Sequence, residues 1–338
     1  MPPSKRVATW LYPAESGLYC EPGDFYIDPH RAVDRAVITH GHGDHARSGH
    51  GSVLATAETI AIMKVRYGAA CAGAFEAAAL GATTTISGVT VRLVPAGHIL
   101  GSAQIVMEWK DARAVVSGDY KRAADPTCLP FELVPCDVFV TEATFALPVF
   151  RHEPAAREIA KLLASLEAES GRTHLIGAYG LGKCQRVIRL LRDAGYDKPI
   201  WLHGAMIALS ELYQDLGVEL GDIRPAAGAD AKAMRGGVVL CPPSALHDRW
   251  SRRFGDPVSA FASGWMRIRG RARQSGVELP LVISDHVDWP ELLQTLDEVQ
   301  AEVIWVTHGR DDALLHHLAT KGQSGRALAL VGRDEEED

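Results

Sequence analysis

Six apolar, β-branched runs in this chain each lead to a residue able to bind a metal or carry a proton. Residues 35–39 run into His40, 89–95 into Gly97 and His98, and 112–117 into Gly118 and Asp119. Residues 137–141 run into Glu142, 279–284 into Asp285 and His286, and 302–307 into His308. Short runs of this composition read as buried strands. Strands of this kind collect their polar ends on one edge of a layered α/β core, where such folds place their sites. Between about 150 and 278 the pattern changes to alternating strands and helices. Helical spacing is clear over 153–170, where Ile159, Leu162, Leu163 and Leu166 recur, and again over 183–194 and 291–299. That middle segment carries no ligand-like cluster and reads as an insertion between two parts of the first domain. There is no internal repeat.

Composition narrows the classes. With 338 residues, 47% hydrophobic and 23% charged, a sizeable core can be buried. The net charge of −7 supplies no global positive field, so any nucleic-acid partner must be drawn in locally. The first 17 residues show no signal-peptide pattern, and no window approaches the roughly 18 apolar residues of a membrane span. Cys20, Cys71, Cys128, Cys136, Cys184 and Cys241 are scattered, with no closely spaced pair. They read as reduced thiols of a cytoplasmic protein. Residues 331–338 read as a solvated acidic tail.

The densest signal is Ile38-Thr39-His40-Gly41-His42-Gly43-Asp44-His45. Residues two apart in an extended segment point the same way, so His40 and His42 can aim at one metal. Gly41 and Gly43 carry no side chain to block the ion. Asp44 and His45 follow where the chain turns and can aim at a second ion. Two metals about 3.5–4 Å apart are a familiar device for phosphoester hydrolysis. With no cysteine nearby, imidazole and carboxylate donors favour zinc, manganese or iron.

The segment His40-Gly41-His42-Gly43-Asp44-His45 resembles the signature of the metallo-β-lactamase superfamily. Pro95-Ala96-Gly97-His98 resembles its third motif and Ser117-Gly118-Asp119-Tyr120 its fourth. The resemblance implies that His40, His42 and His98 hold one metal. Asp44, His45 and His308 would hold the other, and Asp119 would bridge the two. Three further stretches resemble motifs A, B and C of the β-CASP nucleases: 140–145 with Glu142, 283–288 with His286, and 306–309 with His308. Length and the stretch 19–29 look like the bacterial ligase-associated DNA exonucleases. The implied fold is an α/β metallo-β-lactamase αββα sandwich with an inserted α/β β-CASP cap. The core would occupy 1–148 and 279–330 and the cap 149–278, followed by the tail at 331–338. The implied chemistry is phosphodiester hydrolysis by a hydroxide activated between two divalent ions, zinc or else manganese. Asp44, Glu142 and His286 are its catalytic candidates. His286 would be the general acid, and Glu142 would accept its other N–H.

A basic cluster supplies a local attraction for phosphate. Arg249, Arg252, Arg253, Arg267, Arg269, Arg271 and Arg273 face only Asp256 within the same stretch. A guanidinium can bind two phosphate oxygens at once. Trp250, Phe254, Phe261 and Trp265 are interleaved and could stack on bases. Residues 177–184 nearly match a phosphate-binding loop, but Cys184 stands where the magnesium-binding hydroxyl belongs. The segment reads as the start of a cap helix, with Lys183 a candidate phosphate contact. The expectation is a bacterial, cytoplasmic DNA exonuclease of repair, functionally associated with a DNA ligase and not with a membrane. The rival readings are an RNA-processing nuclease of the same fold, a small-molecule esterase or glyoxalase-like hydrolase, and a non-catalytic nucleic-acid scaffold.

Overall fold

In the computed structural model the chain divides into two compact units. One comprises Met1–Pro148 with the described residues from His286 onward, the other Val149–Asp285. The structure describes residues 1–309 and 311–328, apart from the side chain of His308. The expected acidic tail lies outside the described residues.

The first unit opens with helix α1 (Pro3–Val7) and a six-stranded sheet in chain order. Its strands are β1 (Leu11–Ala14), β2 (Gly17–Cys20), β3 (Phe25–Ile27), β4 (Arg35–Val37), β5 (His50–Ala55) and β6 (Ala72–Ala77). Pairing is antiparallel from β1 to β3 and parallel from β3 to β6. Parallel neighbours need a crossover, and helix α2 (Ala57–Tyr67) supplies the one between β5 and β6. Thr56 caps α2 by accepting a hydrogen bond from Thr59 N at 3.1 Å. A second sheet begins with β7 (Thr83–Ile86), β8 (Val89–Pro95), β9 (Ala103–Trp109), β10 (Ala112–Val116) and β11 (Val138–Ala143).

The second unit holds helices α3 (Ala155–Ala168), α4 (Lys183–Asp193), α5 (Gly204–Asp215) and α6 (Arg269–Gln274) around a six-stranded sheet. The strands are β12 (His174–Gly177), β13 (Ile200–Leu202), β14 (Ile223–Pro225), β15 (Val238–Cys241), β16 (Val258–Ala262) and β17 (Leu279–Leu281). They lie in the order β14-β13-β15-β12-β16-β17, and every neighbouring pair is parallel. Because Leu279 pairs with Ala260, residues 279–281 belong to this sheet, and the chain re-enters the first unit at His286. An apolar run announces a strand but not the sheet that takes it.

The returning chain forms α7 (Trp289–Glu298), capped by Asp288, then β18 (Val303–Gly309), α8 (Asp311–Thr320) and β19 (Ser324–Ala327). β18 pairs parallel with β11 and β19 with β18, which completes a seven-stranded sheet. Val89, Val91 and Leu93 alternate along β8 and join Ile105, Met107, Ala114 and Val116 in one apolar cluster with Leu11, Leu18, Phe25 and Val37 of the first sheet. The opposite face, with Val94, Val106, Val115 and Phe139, packs on Trp289, Leu292 and Leu296 of α7 and Leu314 of α8. Ala36, Ile38 and Val53 meet Ile60 and Met63 of α2 on the outer side of the first sheet. The layers therefore run helix, sheet, sheet, helix. A one-residue slip of β8 would turn three buried side chains out of the core, at roughly 1.5–3 kcal/mol each. That cost pins the register that delivers His98. Among the described residues no helix is long and apolar enough to cross a membrane.

Candidate metal centre

The ligand-type residues of the first unit arrive from strand ends in both of its sheets. His40, His42, Asp44 and His45 follow β4, His98 follows β8, and Asp119 follows β10. The last two are turned out of their strands by Gly97 and Gly118, whose φ angles of 75° and 56° are left-handed. A Cβ at Gly118 would sit 2.7 Å from the Cβ of Thr39, so only glycine fits there.

His40, His42, His98 and Asp119 are all buried and bring one donor atom each within 4.8 Å of the others. His42 Nδ1 lies 3.1 Å from His40 Nε2 and 3.0 Å from His98 Nε2. Asp119 Oδ2 lies 3.5 Å from His40 Nε2 and 3.7 Å from His98 Nε2. Donors placed tetrahedrally about 2.0–2.1 Å from one zinc-sized ion would stand about 3.3–3.4 Å apart, and these four scatter around that spacing.

A second group adjoins it. His45 Nε2 lies 3.2 Å from Asp44 Oδ2 and 3.6 Å from Asp119 Oδ1. The two oxygens of Asp119 thus face different groups, the disposition a bridging carboxylate needs. Asp44 Oδ1 is buried without a hydrogen-bond partner, which suits an acceptor meant for a cation. The residues present fit a small divalent ion at His40, His42, His98 and Asp119. His308 lies in β18, where its side chain is outside the described residues.

The tautomers follow from the hydrogen bonds. Asp28 Oδ2 accepts from Thr39 Oγ1 at 2.7 Å, so that hydroxyl is free to accept from His40 Nδ1 at 3.0 Å. Asp28 Oδ2 also accepts from His45 Nδ1 at 2.8 Å. Both Nδ1 atoms then carry a proton toward these partners, which leaves Nε2 of each ring as the atom turned to the donor groups. Burial, reinforced by the neighbouring His45, pushes the His40 pKa well below its ordinary value. At His45 burial works the same way, but the carboxylates of Asp44, Asp119 and Asp28 outweigh it and raise its pKa. Asp44 is held below the usual carboxylate range by His45, against the opposing effect of burial. Asp28 escaped the sequence reading. It follows β3 with a left-handed φ of 43°, and no spacing links it to the histidines it orients.

The acid–base candidates stand beside the cluster. Glu142 lies in β11, buried, and its Oε1 accepts from Tyr120 N at 2.9 Å. Its Oε2 accepts from His286 Nδ1 at 2.8 Å. Asp119, Glu142 and His286 each place a donor atom within 4.8 Å of the other two. The His286 ring also lies 4.7 Å from that of His98.

Two expectations change in detail. Gly41 and Gly43 do not clear space for an ion. A Cβ at Gly41 would meet Ile62 at 2.5 Å and one at Gly43 would meet Arg66 Nη2 at 2.9 Å, so they admit the close approach of α2. Lys183 does start a helix after a strand, but it is 2% exposed and its ammonium pairs with Asp285. Its side chain is therefore turned inward, onto a carboxylate. Six arginines of the second unit, Arg249, Arg252, Arg267, Arg269, Arg271 and Arg273, are exposed. Arg253 is half-buried and donates to Ala229 O at 2.6 Å. Trp250, Phe254 and Phe261 pack against an apolar cluster, while Trp265 lies 3.9 Å beneath the Arg271 guanidinium.

Fold and site together resemble those of a nuclease-like protein of the metallo-β-lactamase/β-CASP kind. Comparison with known proteins bears on the particular relatives. The chain is 28% identical over 330 residues, 94% of its length, to a protein of Opitutus terrae named Probable DNA ligase, of which the match covers 31%. It is 30% identical over 222 residues to the Endoribonuclease YSH1 of Gibberella zeae, covering 54% of this chain and 26% of that one. The Saccharomyces cerevisiae Endoribonuclease YSH1 matches over 116 residues at 29% identity, covering 33% of this chain and 14% of the yeast protein. The chain thus spans less than a third of the length of these relatives. No family model matches it. Among solved structures, a protein of unknown function from Enterococcus faecalis shares the fold, with a TM-score of 0.53 at 11% identity, over 80% of this chain and 74% of that one.

Proposed function

We propose that this protein is a metal-dependent DNA exonuclease of DNA repair, working in the cytoplasm. The observation that carries the reading is the buried His40-His42-His98-Asp119 cluster with the Glu142–His286 pair beside it. His40, His42 and His98 would hold one divalent ion, Asp44, His45 and His308 the other, and Asp119 both. Zinc suits the imidazole-rich donor set, and manganese is the alternative. When bound, the two ions supply an activated water nucleophile and neutralise charge on the phosphoryl oxygens.

The chain's own residues do the rest. Asp28 and Thr39 hold His45 and His40 in the metal-facing tautomer. Glu142 fixes the His286 ring through Nδ1, so that Nε2 is the atom to protonate the leaving oxygen. The exposed arginines of the second unit contact the phosphate backbone. The alignment that spans 94% of the chain, to a protein named for DNA ligation, supports DNA as substrate and a ligase as functional partner. The endoribonuclease similarity, over 54% of the chain, supports RNA as the second reading. A non-catalytic scaffold would have no use for so complete a donor set with a paired histidine beside it.

The test is digestion of end-labelled single- and double-stranded DNA and RNA after chelation, with zinc or manganese restored. Expected is stepwise shortening of DNA from one end. Internal cuts, or cutting of RNA alone, would refute it. His286→Ala should slow cleavage about 10²–10⁴-fold with metal content intact. Asp119→Ala should lose both metal and activity.

A further inference from the structure

The ligand loop has a cationic, aromatic flank that the metal centre itself does not use. The last turn of α2 lies against that loop: Arg66 Nη1 donates to Gly41 O at 2.9 Å. The Arg66 guanidinium stands 5.4 Å from the ring centroid of Tyr67, which is 37% exposed. The segment after His45 is stitched to the same place, because Gly49 N donates to Cys71 O at 2.7 Å and Cys71 N to Gly68 O at 3.2 Å. This sets exposed Arg47 near the end of α2. Among the described residues neither Arg47 nor Arg66 forms an ion pair. Two such guanidiniums on one flank of the loop are conspicuous in a chain with 42 acidic and 35 basic residues. The Asp44 side chain of this loop keeps 14% exposure.

We propose that Arg47, Arg66 and Tyr67 form a subsite for the nucleotide flanking the scissile phosphodiester. Arg66 and Arg47 take its phosphate and Tyr67 stacks on its base. The chemistry is that of single-stranded nucleic-acid recognition, a cation for each phosphate and a ring for each base. Arg66 is pre-oriented by Gly41 O at one end and by the Tyr67 ring along its side, so little side-chain entropy is lost when phosphate arrives. Tyr67 stacks without reading sequence, as an enzyme moving along a strand requires. The inference rests on the nucleic-acid reading of the metal centre.

The experiment measures binding of a phosphorothioate DNA oligonucleotide, which resists hydrolysis, to the metal-loaded protein by fluorescence anisotropy over a range of salt. Tyr67→Ala should weaken binding about tenfold, and Tyr67→Phe should restore it. Arg47→Gln and Arg66→Gln should each flatten the slope of log Kd against log salt by about 0.7, and Arg66→Lys should keep the slope. Metal content should be unchanged in Tyr67→Ala and Arg47→Gln, whose side chains make no bond to the ligand loop. If Arg66→Gln loses metal, those two variants decide. Wild-type affinity and slope in both would overturn the subsite. So would weak binding that tracks metal loss. A wild-type protein that binds the oligonucleotide through these residues but cuts neither DNA nor RNA would sink the hydrolase reading and leave the subsite standing.

Discussion

Replacing Asp28 by asparagine isolates what one buried carboxylate does for the metal centre. Asp28 is 2% exposed and accepts hydrogen bonds from Thr39 N at 2.8 Å, Thr39 Oγ1 at 2.7 Å and His45 Nδ1 at 2.8 Å. Asparagine keeps the volume but turns one acceptor into a donor. If its amide nitrogen faces His45, the ring must move its proton to Nε2, where it blocks an ion. If it faces Thr39 N instead, two donors confront each other at a cost of roughly 1–3 kcal/mol. The first rotamer puts the loss on the side of Asp119 that His45 occupies. Such supporting partners are typically worth 10–100-fold in metal affinity, or about 1.4–2.7 kcal/mol. Titration of metal-free protein against a chromophoric chelator should resolve two sites in the wild type. In Asp28→Asn one should weaken by that factor while the His40-His42-His98 site stays within a few-fold. Two unchanged sites, or two equally weakened ones, would refute the tautomer argument.

Other outcomes are as definite. Chelation should lower the melting temperature, and zinc restored at a thousand times its Kd should return about 4 kcal/mol of stability. A thermal scan that ignores both zinc and manganese would show that the cluster holds neither. Lys183→Met should lower stability in urea unfolding by removing the ammonium paired with the buried Asp285 carboxylate, and adding Asp285→Leu should recover part of the loss. Unchanged stability with weakened DNA binding would instead make Lys183 a phosphate contact.

The sequence announced the donor cluster because four candidate donors fall within six residues and two more follow glycines at strand ends. Adjacency in the chain forces adjacency in space, and that part needs no tertiary information. Asp28 was silent for the opposite reason: it meets His45 across 17 residues of chain, and only folding brings them together. Lys183 shows a different limit. Residues 177–184 correctly signalled a strand giving way to a helix, yet the same turn aims the lysine inward, to a carboxylate 102 residues on. Composition cannot say which way a helix faces. Likewise the apolar stretch at 279–284 was legible as a strand, but its pairing with β16 depends on backbone partners that a lone strand does not name. Residues 103–109, whose apolar positions are interrupted by Gln104 and Glu108, lead to no polar ligand and carry no such signal.

His40, His42 and His45 belong to one sheet of the first unit, while His98 and Asp119 belong to the other. Any ion held among them is therefore a clasp across the sandwich as well as a reagent. Its removal should loosen that rim first, seen as faster amide exchange in the turns at 39–45 and 97–102, while the strand centres beyond stay protected. Stability and activity would then draw on the same coordinate bonds, so a variant selected for tighter packing at this rim could dispense with the ion only by losing the chemistry.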